Sequence, residues 1–205
     1  MFIPQQLTMT KLQNIRSMFI GTLLGDAHIR STAFAAYITF EQALIKKDYL
    51  HHLYSRVSEA GFGMNPPKQY DRSDPRYGTV NSSLYFRTVA HEELLELAGL
   101  FLDSSGGKVI PENIADWLTL EALAYWICDD GQRVPRGGVT LCTDSFSLEE
   151  IQLLRDALMT NFGLITTLHQ KRNRKGELKY TRIYIGKPAL YSIRPQLKQF
   201  MHPFF

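Results

Sequence analysis

A chain of 205 residues is long enough to bury one core or two small ones, and 44% hydrophobic with 21% charged residues is an ordinary globular balance. The longest apolar run near the N-terminus, Met18–Leu24, is far short of the roughly 20 residues that cross a bilayer, and no secretory or transit pattern precedes it. The net charge of +3 and two cysteines, Cys128 and Cys142, outside any C-x-x-C or Cys/His cluster, exclude a disulfide scaffold and a zinc-ribbon site.

In chain order, the first predicted helix is apolar and closes on an acid: Phe19-Ile20-Gly21-Thr22-Leu23-Leu24-Gly25-Asp26-Ala27. Strands are predicted at Ile29–Thr32 and Ala36–Glu41. A helix follows from Lys46 to Ala60, with Tyr49, Leu50, Leu53, Tyr54 and Val57 on its apolar face. Strands at Pro67–Asp71 and Ser83–Thr88 lead to a helix over His91–Leu102. His51 and His52 are adjacent on a helix, cannot face one metal together, and are read as surface. The segment 103–118, rich in Ser, Gly and Pro, reads as a linker.

A second apolar helix ending in acids comes next, Leu123-Ala124-Tyr125-Trp126-Ile127-Cys128-Asp129-Asp130-Gly131. Strands are expected at Gln132–Val134 and Val139–Thr143. Ser147 and Glu150 then form a capping-box pair before a helix carrying Ile151, Leu154, Leu158 and Phe162. Thr166–Arg172 and Lys179–Ile185 close the strand list, joined by a turn at Asn173–Gly176. The order helix, two strands, helix, two strands, helix thus occurs twice. It predicts an α+β fold of duplicated αββαββα units related by a pseudo-twofold axis, with bounds 1–102, 103–118 and 119–205. An unduplicated α+β domain is the plainer alternative.

Charge is segregated along the chain. From Leu164 to Phe205, Lys171, Arg172, Arg174, Lys175, Lys179, Arg182, Lys187, Arg194 and Lys198 face Glu177 alone. Such a bias points to a polyanion, with a merely solvated hairpin as the alternative.

Gly21 and Gly25 each weaken a helix by about 1 kcal/mol relative to Ala. Spaced four apart on one face, they allow another backbone to approach, and the second apolar helix is the obvious partner. Side by side, the two helices would bring Asp26 and Asp130 together at C-terminal ends, where the dipole is unfavourable and the carboxylates repel. A divalent cation such as Mg²⁺ relieves both, taking carboxylates, carbonyl oxygens and water. Asp26 alone would be only a helix-ending polar residue; its recurrence as Asp130 carries the inference. Asp129 occupies the helical slot of Gly25 and is read as secondary, a backbone-carbonyl donor.

The stretches G-T-L-L-G-D-A and L-A-Y-W-I-C-D-D-G resemble the two motifs of the LAGLIDADG homing endonucleases, in particular the single-chain subgroup typified by the mitochondrial omega-intron enzyme. G-D-A-H-I-R, K-V-I-P-E-N-I and T-D-S-F-S-L-E-E-I extend the resemblance over nearly the whole chain. It implies motif helices at the centre and two four-stranded sheets forming a saddle in the DNA major groove. It implies a monomer that makes a Mg²⁺-dependent double-strand break with short 3′ overhangs, Mn²⁺ being able to substitute. Asp26 and Asp130 would bind the metal, with Gly25 and Asp129 beside them. Lys108 would be an assisting base, its counterpart falling just beyond Phe205. Tyr125 departs from the small residue of the general pattern.

Strand alternation makes His28, Arg30, Lys68, Tyr70, Arg72 and Arg87 candidate DNA contacts in the first half. Arg133, Arg136, Thr140, His169, Lys171, Arg174, Lys179 and Arg182 are the candidates in the second. Arg can read guanine bidentately, while Lys more often holds phosphate. Trp117, Trp126, Tyr54 and Phe162 read as core. The expected partner is double-stranded DNA, with intron RNA as the alternative for a cleavage-deficient maturase. The chain reads as soluble, without a membrane partner, working in the compartment of its own genome, a bacterial cytoplasm or an organelle matrix. A carboxylate-pair glycosidase also needs two acids, but does not explain the basic bias.

Overall fold

The computed structural model describes residues 10–74, 78–173 and 175–205. At its centre lie α1 (Arg16–Leu24), buried throughout Met18–Leu24, and α5 (Leu120–Asp130), buried throughout Ala122–Asp129. A helix apolar on every side belongs inside a protein, and these two pack against each other. Their contact is close enough to require glycine. A Cβ on Gly21 would stand 2.2 Å from the Ala122 carbonyl oxygen, and one on Gly25 would stand 2.4 Å from the Asp129 Cβ.

Around this pair the same order runs twice. After α1 come β1 (His28–Ser31), β2 (Ala36–Ala43), α2 (Lys47–Glu59), β3 (Lys68–Asp74), β4 (Thr79–Arg87) and α3 (Leu95–Phe101). The short α4 (Ile114–Trp117) stands between the two sets. After α5 come β5 (Gly131–Arg133), β6 (Val139–Leu141), α6 (Leu148–Phe162), β7 (Thr166–Arg172), β8 (Leu178–Ile185) and α7 (Lys187–Lys198). Each set forms a four-stranded antiparallel sheet, ordered β1-β2-β4-β3 and β5-β6-β8-β7. The fold is the duplicated α+β one that the sequence predicts.

Local chemistry explains most of the boundaries. The Ser147/Glu150 capping box is formed at α6, and Gly163 ends that helix in the left-handed region at φ 65°. The expected helix over His91–Leu102 divides into a 3-10 turn, Glu92–Leu94, and α3, with the His91 ring accepting from the Glu93 N–H. Within the linker, α4 is an addition to the sequence reading. The Asn161 side chain donates to the Ala115 and Leu118 carbonyls, which stabilises this short turn from a distance.

Pleating sorts each sheet into two faces. In β2, Ala36, Ile38 and Phe40 point inward, and Phe40 stacks on Phe86 of β4 at 4.7 Å. Trp126 and Phe19 are fully buried nearby. The opposite faces of both sheets carry the polar residues considered next.

Candidate active site and nucleic-acid interface

Directly opposed residues in an antiparallel pair share a face. His28 pairs with Thr39 and Arg30 with Tyr37, Thr39 pairs with Arg87, Lys68 with Tyr85, Tyr70 with Ser83, and Arg72 with Asn81. All six first-half candidates therefore lie on one face, away from Ile38, Phe40 and Phe86. Their heads are already oriented: the Arg87 guanidinium sits 4.8 Å from the Tyr37 ring centre, and Tyr70 donates to Glu41 while accepting from Arg72.

The second sheet is less uniform. Thr140 pairs with Tyr184, His169 with Arg182 and Lys171 with Tyr180, so these candidates share the outward face. Thr140 is nonetheless buried, and Arg182 is engaged by Asp144, both contacts being 2.7 Å, which raises its pKa further. Arg133 pairs with the buried Val139 and so belongs to the other face, at the strand's exposed end. Lys179 has no opposed residue at the irregularity where Lys171 pairs with Tyr180 and Arg172 with Leu178. Arg136 lies in the exposed β5–β6 turn, and Arg174 lies outside the described residues.

Between the sheets the motif acids meet. α1 stops at Leu24, the Gly25 N–H returns to Gly21 and Thr22, and Asp26 follows on an exposed turn. α5 continues through Asp130, whose carbonyl accepts from the Cys142 N–H. Asp130 is partly buried. Desolvation, then the nearby charge of Asp26, push its pKa up to about 7, while Lys108 and Lys46 oppose the shift.

Asp129 fills the space left by Gly25. Its Oδ2 accepts from the Asp26 N–H at 3.3 Å, and its Oδ1 accepts from the Tyr49 hydroxyl at 2.8 Å and the Gln42 amide at 3.2 Å. Burial, followed by Asp26, raises its pKa well above the usual carboxylate range. The same Gln42 amide donates to Asp26 Oδ2 at 2.9 Å, tying the two motif ends together.

A lysine closes each end. Asp103, in the tight loop before Gly106, accepts from the Ser105 hydroxyl and from the Gly107 and Ser105 N–H groups, and these bonds, the hydroxyl first, hold its carboxyl below its ordinary pKa. That loop delivers Lys108, whose Nζ donates to the Gly25 carbonyl at 2.9 Å and the Ala27 carbonyl at 3.2 Å. Lys46, just before α2, donates to the Cys128 carbonyl at 3.4 Å and the Asp129 carbonyl at 3.2 Å. The equivalent carbonyls of Gly25 and Asp129 thus each face an ammonium. Lys108 is largely enclosed, and desolvation lowers its pKa against the pull of Asp130, Asp129 and Asp26.

The sequence profile of the LAGLIDADG DNA endonuclease family matches residues 16–191, which contain both motif helices and both sheets. The chain belongs to this family. It is 28% identical over 201 residues to the cytochrome b mRNA maturase bI2 of Saccharomyces cerevisiae, a match that takes in 93% of this chain but 45% of that protein. Its identity to DNA endonuclease I-ChuI of Chlamydomonas applanata is 26%, covering 94% and 93% of the two chains. The solved structure of homing endonuclease I-WcaI bound to its DNA recognition sequence superposes with a TM-score of 0.79 at 25% identity, covering 98% of this chain and 86% of that one.

The site also contains Gln42, Lys46, Tyr49 and Asp144, which the LAGLIDADG motifs in the sequence do not include. Gln42 carried a signal: it takes a core-facing position in β2, in register with Ile38 and Phe40, where a polar side chain needs a buried partner. Lys46 and Tyr49 carry none, since their partners lie 80 to 83 residues away in the chain. His52 corrects an expectation. It is half-buried, 3.0 Å from the Tyr125 hydroxyl, because α5 covers a flank of α2 that is polar in sequence.

Among the described residues no three His, Cys, Asp or Glu side chains cluster as a metal cage, and no helix is long and apolar enough to cross a membrane. Two repelling carboxylates beside backbone carbonyls and solvent do match a hard cation that keeps several waters, as Mg²⁺ does. The donor set therefore fits a hard divalent cation.

Proposed function

We propose that this protein is a site-specific endonuclease that makes a double-strand break in a long, asymmetric DNA site by divalent-metal-dependent phosphodiester hydrolysis. Carrying this reading is the convergence of Asp26 and Asp130, one from each motif helix, between two sheets whose outward faces bear basic and aromatic residues. The working bounds remain 1–102 and 119–205 for the two units, joined by 103–118, with the single chain acting as a monomer.

In this reading Asp26 and Asp130 would hold Mg²⁺, which when bound supplies charge neutralisation at the scissile phosphates and acidifies a water. Gln42 fixes the rotamer of the Asp26 carboxylate. Lys108 and Lys46 set one positive charge at each motif end, where negative charge grows on the phosphate oxygens in the transition state. The Asp129 side chain, buried and saturated with donors, ties the two motif ends together rather than facing the substrate. Arg30, Arg72 and Arg87 would contact base edges or phosphates, and Lys68 and Lys171 phosphates.

The test is cleavage of a randomised duplex library in Mg²⁺, with Asp26→Asn and Asp130→Asn alongside the parent. Either variant is expected to lose cleavage by about 10²–10³-fold or more while retaining the same DNA. Loss of DNA retention in both folded variants would overturn the assignment of the acids to metal. The name of the yeast relative raises RNA as a second ligand, and one surface outside the saddle suits it.

A further inference from the structure

Helix α7 lies beside the second sheet on its helix side, touching the β5–β6 turn where the Lys187 stem packs on Gly137. β8 turns Arg182 and Tyr184 outward and buries Ile183 and Ile185 against the helices, and α7 packs on α5 on that second side. Leu190, Ile193 and Leu197 of α7 face the core. Lys187, Tyr191, Arg194 and Lys198, spaced four, three and four apart, form one exposed stripe about 16 Å long. Tyr191 is 53% exposed, with the Lys187 ammonium 5.6 Å and the Arg194 guanidinium 5.3 Å from its ring centre.

Among the described residues nothing internal balances this stripe. No Asp or Glu occurs from Leu178 to Phe205, and among the described residues no side-chain hydrogen bond or ion pair is made by Lys187, Arg194 or Lys198. The fold does not demand the charge either. Around α3, the counterpart of α7 in element order, the charged residues are Glu92, Glu93 and Glu96; Glu93 accepts from the Leu12 N–H and Glu96 pairs with Arg16. Acids around one closing helix are used internally by Leu12 and Arg16, whereas α7 carries cations without such partners among the described residues.

We propose that the outer face of α7 binds structured RNA, with phosphates on Lys187, Arg194 and Lys198 and an unpaired base stacked on Tyr191. Three cations with no acid among them match a polyanion. A ring open to solvent between two cations matches an unstacked base, which loops and junctions of folded RNA present and an intact DNA duplex does not. This surface does not depend on the carboxylate centre, so the two readings fail separately.

The experiment measures binding of the full chain to three labelled probes: an RNA hairpin with an unpaired loop, a blunt RNA duplex of the same stem, and a DNA duplex of equal length. The variants are the triple Lys187→Gln/Arg194→Gln/Lys198→Gln and the single Tyr191→Ala, with thermal melting to show that each is folded. The triple variant should weaken hairpin binding by about thirtyfold and flatten its log–log salt slope by about 2. Tyr191→Ala should weaken the hairpin by about tenfold and leave the RNA duplex unchanged. DNA binding should stay within about twofold in both, because the sheets are untouched. Unchanged hairpin binding in the triple variant would overturn the proposal. So would an equal loss for DNA and RNA, which would make α7 a flank of the DNA site.

Discussion

At α1 the helix ends on Leu24 and a turn carries Gly25 and Asp26, whereas α5 runs through Asp129 to Asp130. Glycine at positions 21 and 25 of the first motif is matched by Tyr125 and Asp129 in the second, and each large residue sits over the glycine of the opposite helix. The central contact of a pseudo-twofold fold is therefore complementary rather than symmetric. Two copies of α1 would leave voids, and two copies of α5 would press Tyr125 and Asp129 on their own kind. Such a contact favours pairing within one chain over pairing of like halves.

Asp130 gives the largest expected effect. Its folded pKa of about 7 lies above the ordinary carboxylate value of 3.8. In metal-free protein, the stability contributed by this group is fully present below about pH 4. It falls as pH rises towards 7, because the unfolded chain ionises this group while the folded one holds its proton. The loss is on the order of 2–4 kcal/mol. Asp130→Asn should flatten this fall in denaturant melts between pH 4 and 8 and should raise metal-free stability at pH 8, while abolishing cleavage. A variant no more stable than the parent at pH 8 would show that neither burial nor the charge of Asp26 penalises the ionised Asp130 carboxylate.

The glycine contacts come next. Gly21→Ala drives a Cβ into the Ala122 carbonyl and is expected to lower stability by about 2–3 kcal/mol. Gly99→Ala, in α3 with nothing within 4 Å of the added methyl, should raise it by up to about 1 kcal/mol. The same substitution thus reports opposite signs from two helices. Equal effects in chemical denaturation would break the picture of a close central contact.

These two motifs also mark what a sequence can and cannot reveal. Gly21, Gly25, Asp26 and Asp130 were legible because helix spacing and repetition are local properties, and pleating alone places His28, Arg30 and Arg87 together. The parity that serves Thr140 and Arg182 also sets Arg133 on the opposite face, a consequence already available from its neighbour Gln132. Asp129 was legible as a position but not as a hub. Tyr49, Gln42 and the Asp26 amide reach it only after both halves have folded, so no window of sequence contains its partners. Lys46 is hidden for the same reason, and α4 is too short for periodicity to register.

The smallest effect tests whether the asymmetry reaches the chemistry. Register sets Thr39 and Thr140 as equivalents, since each pairs with the residue two after a motif acid, and so makes Thr143 the counterpart of Gln42. Gln42 touches Asp26, whereas the Thr143 hydroxyl, fully buried, donates to the Thr181 carbonyl, and among the described residues no side-chain amide reaches Asp130. Gln42→Ala should therefore slow cleavage of the strand served by Asp26 by about tenfold, corresponding to ~1.4 kcal/mol. The other strand should be cut at nearly the parent rate, so that nicked duplex accumulates on denaturing gels of strand-specific end labels. Thr143→Ala should change stability without a strand bias. Equal slowing of both strands by Gln42→Ala would mean that its bond to Asp129 dominates, and that the two motif ends act as one unit despite their different side chains.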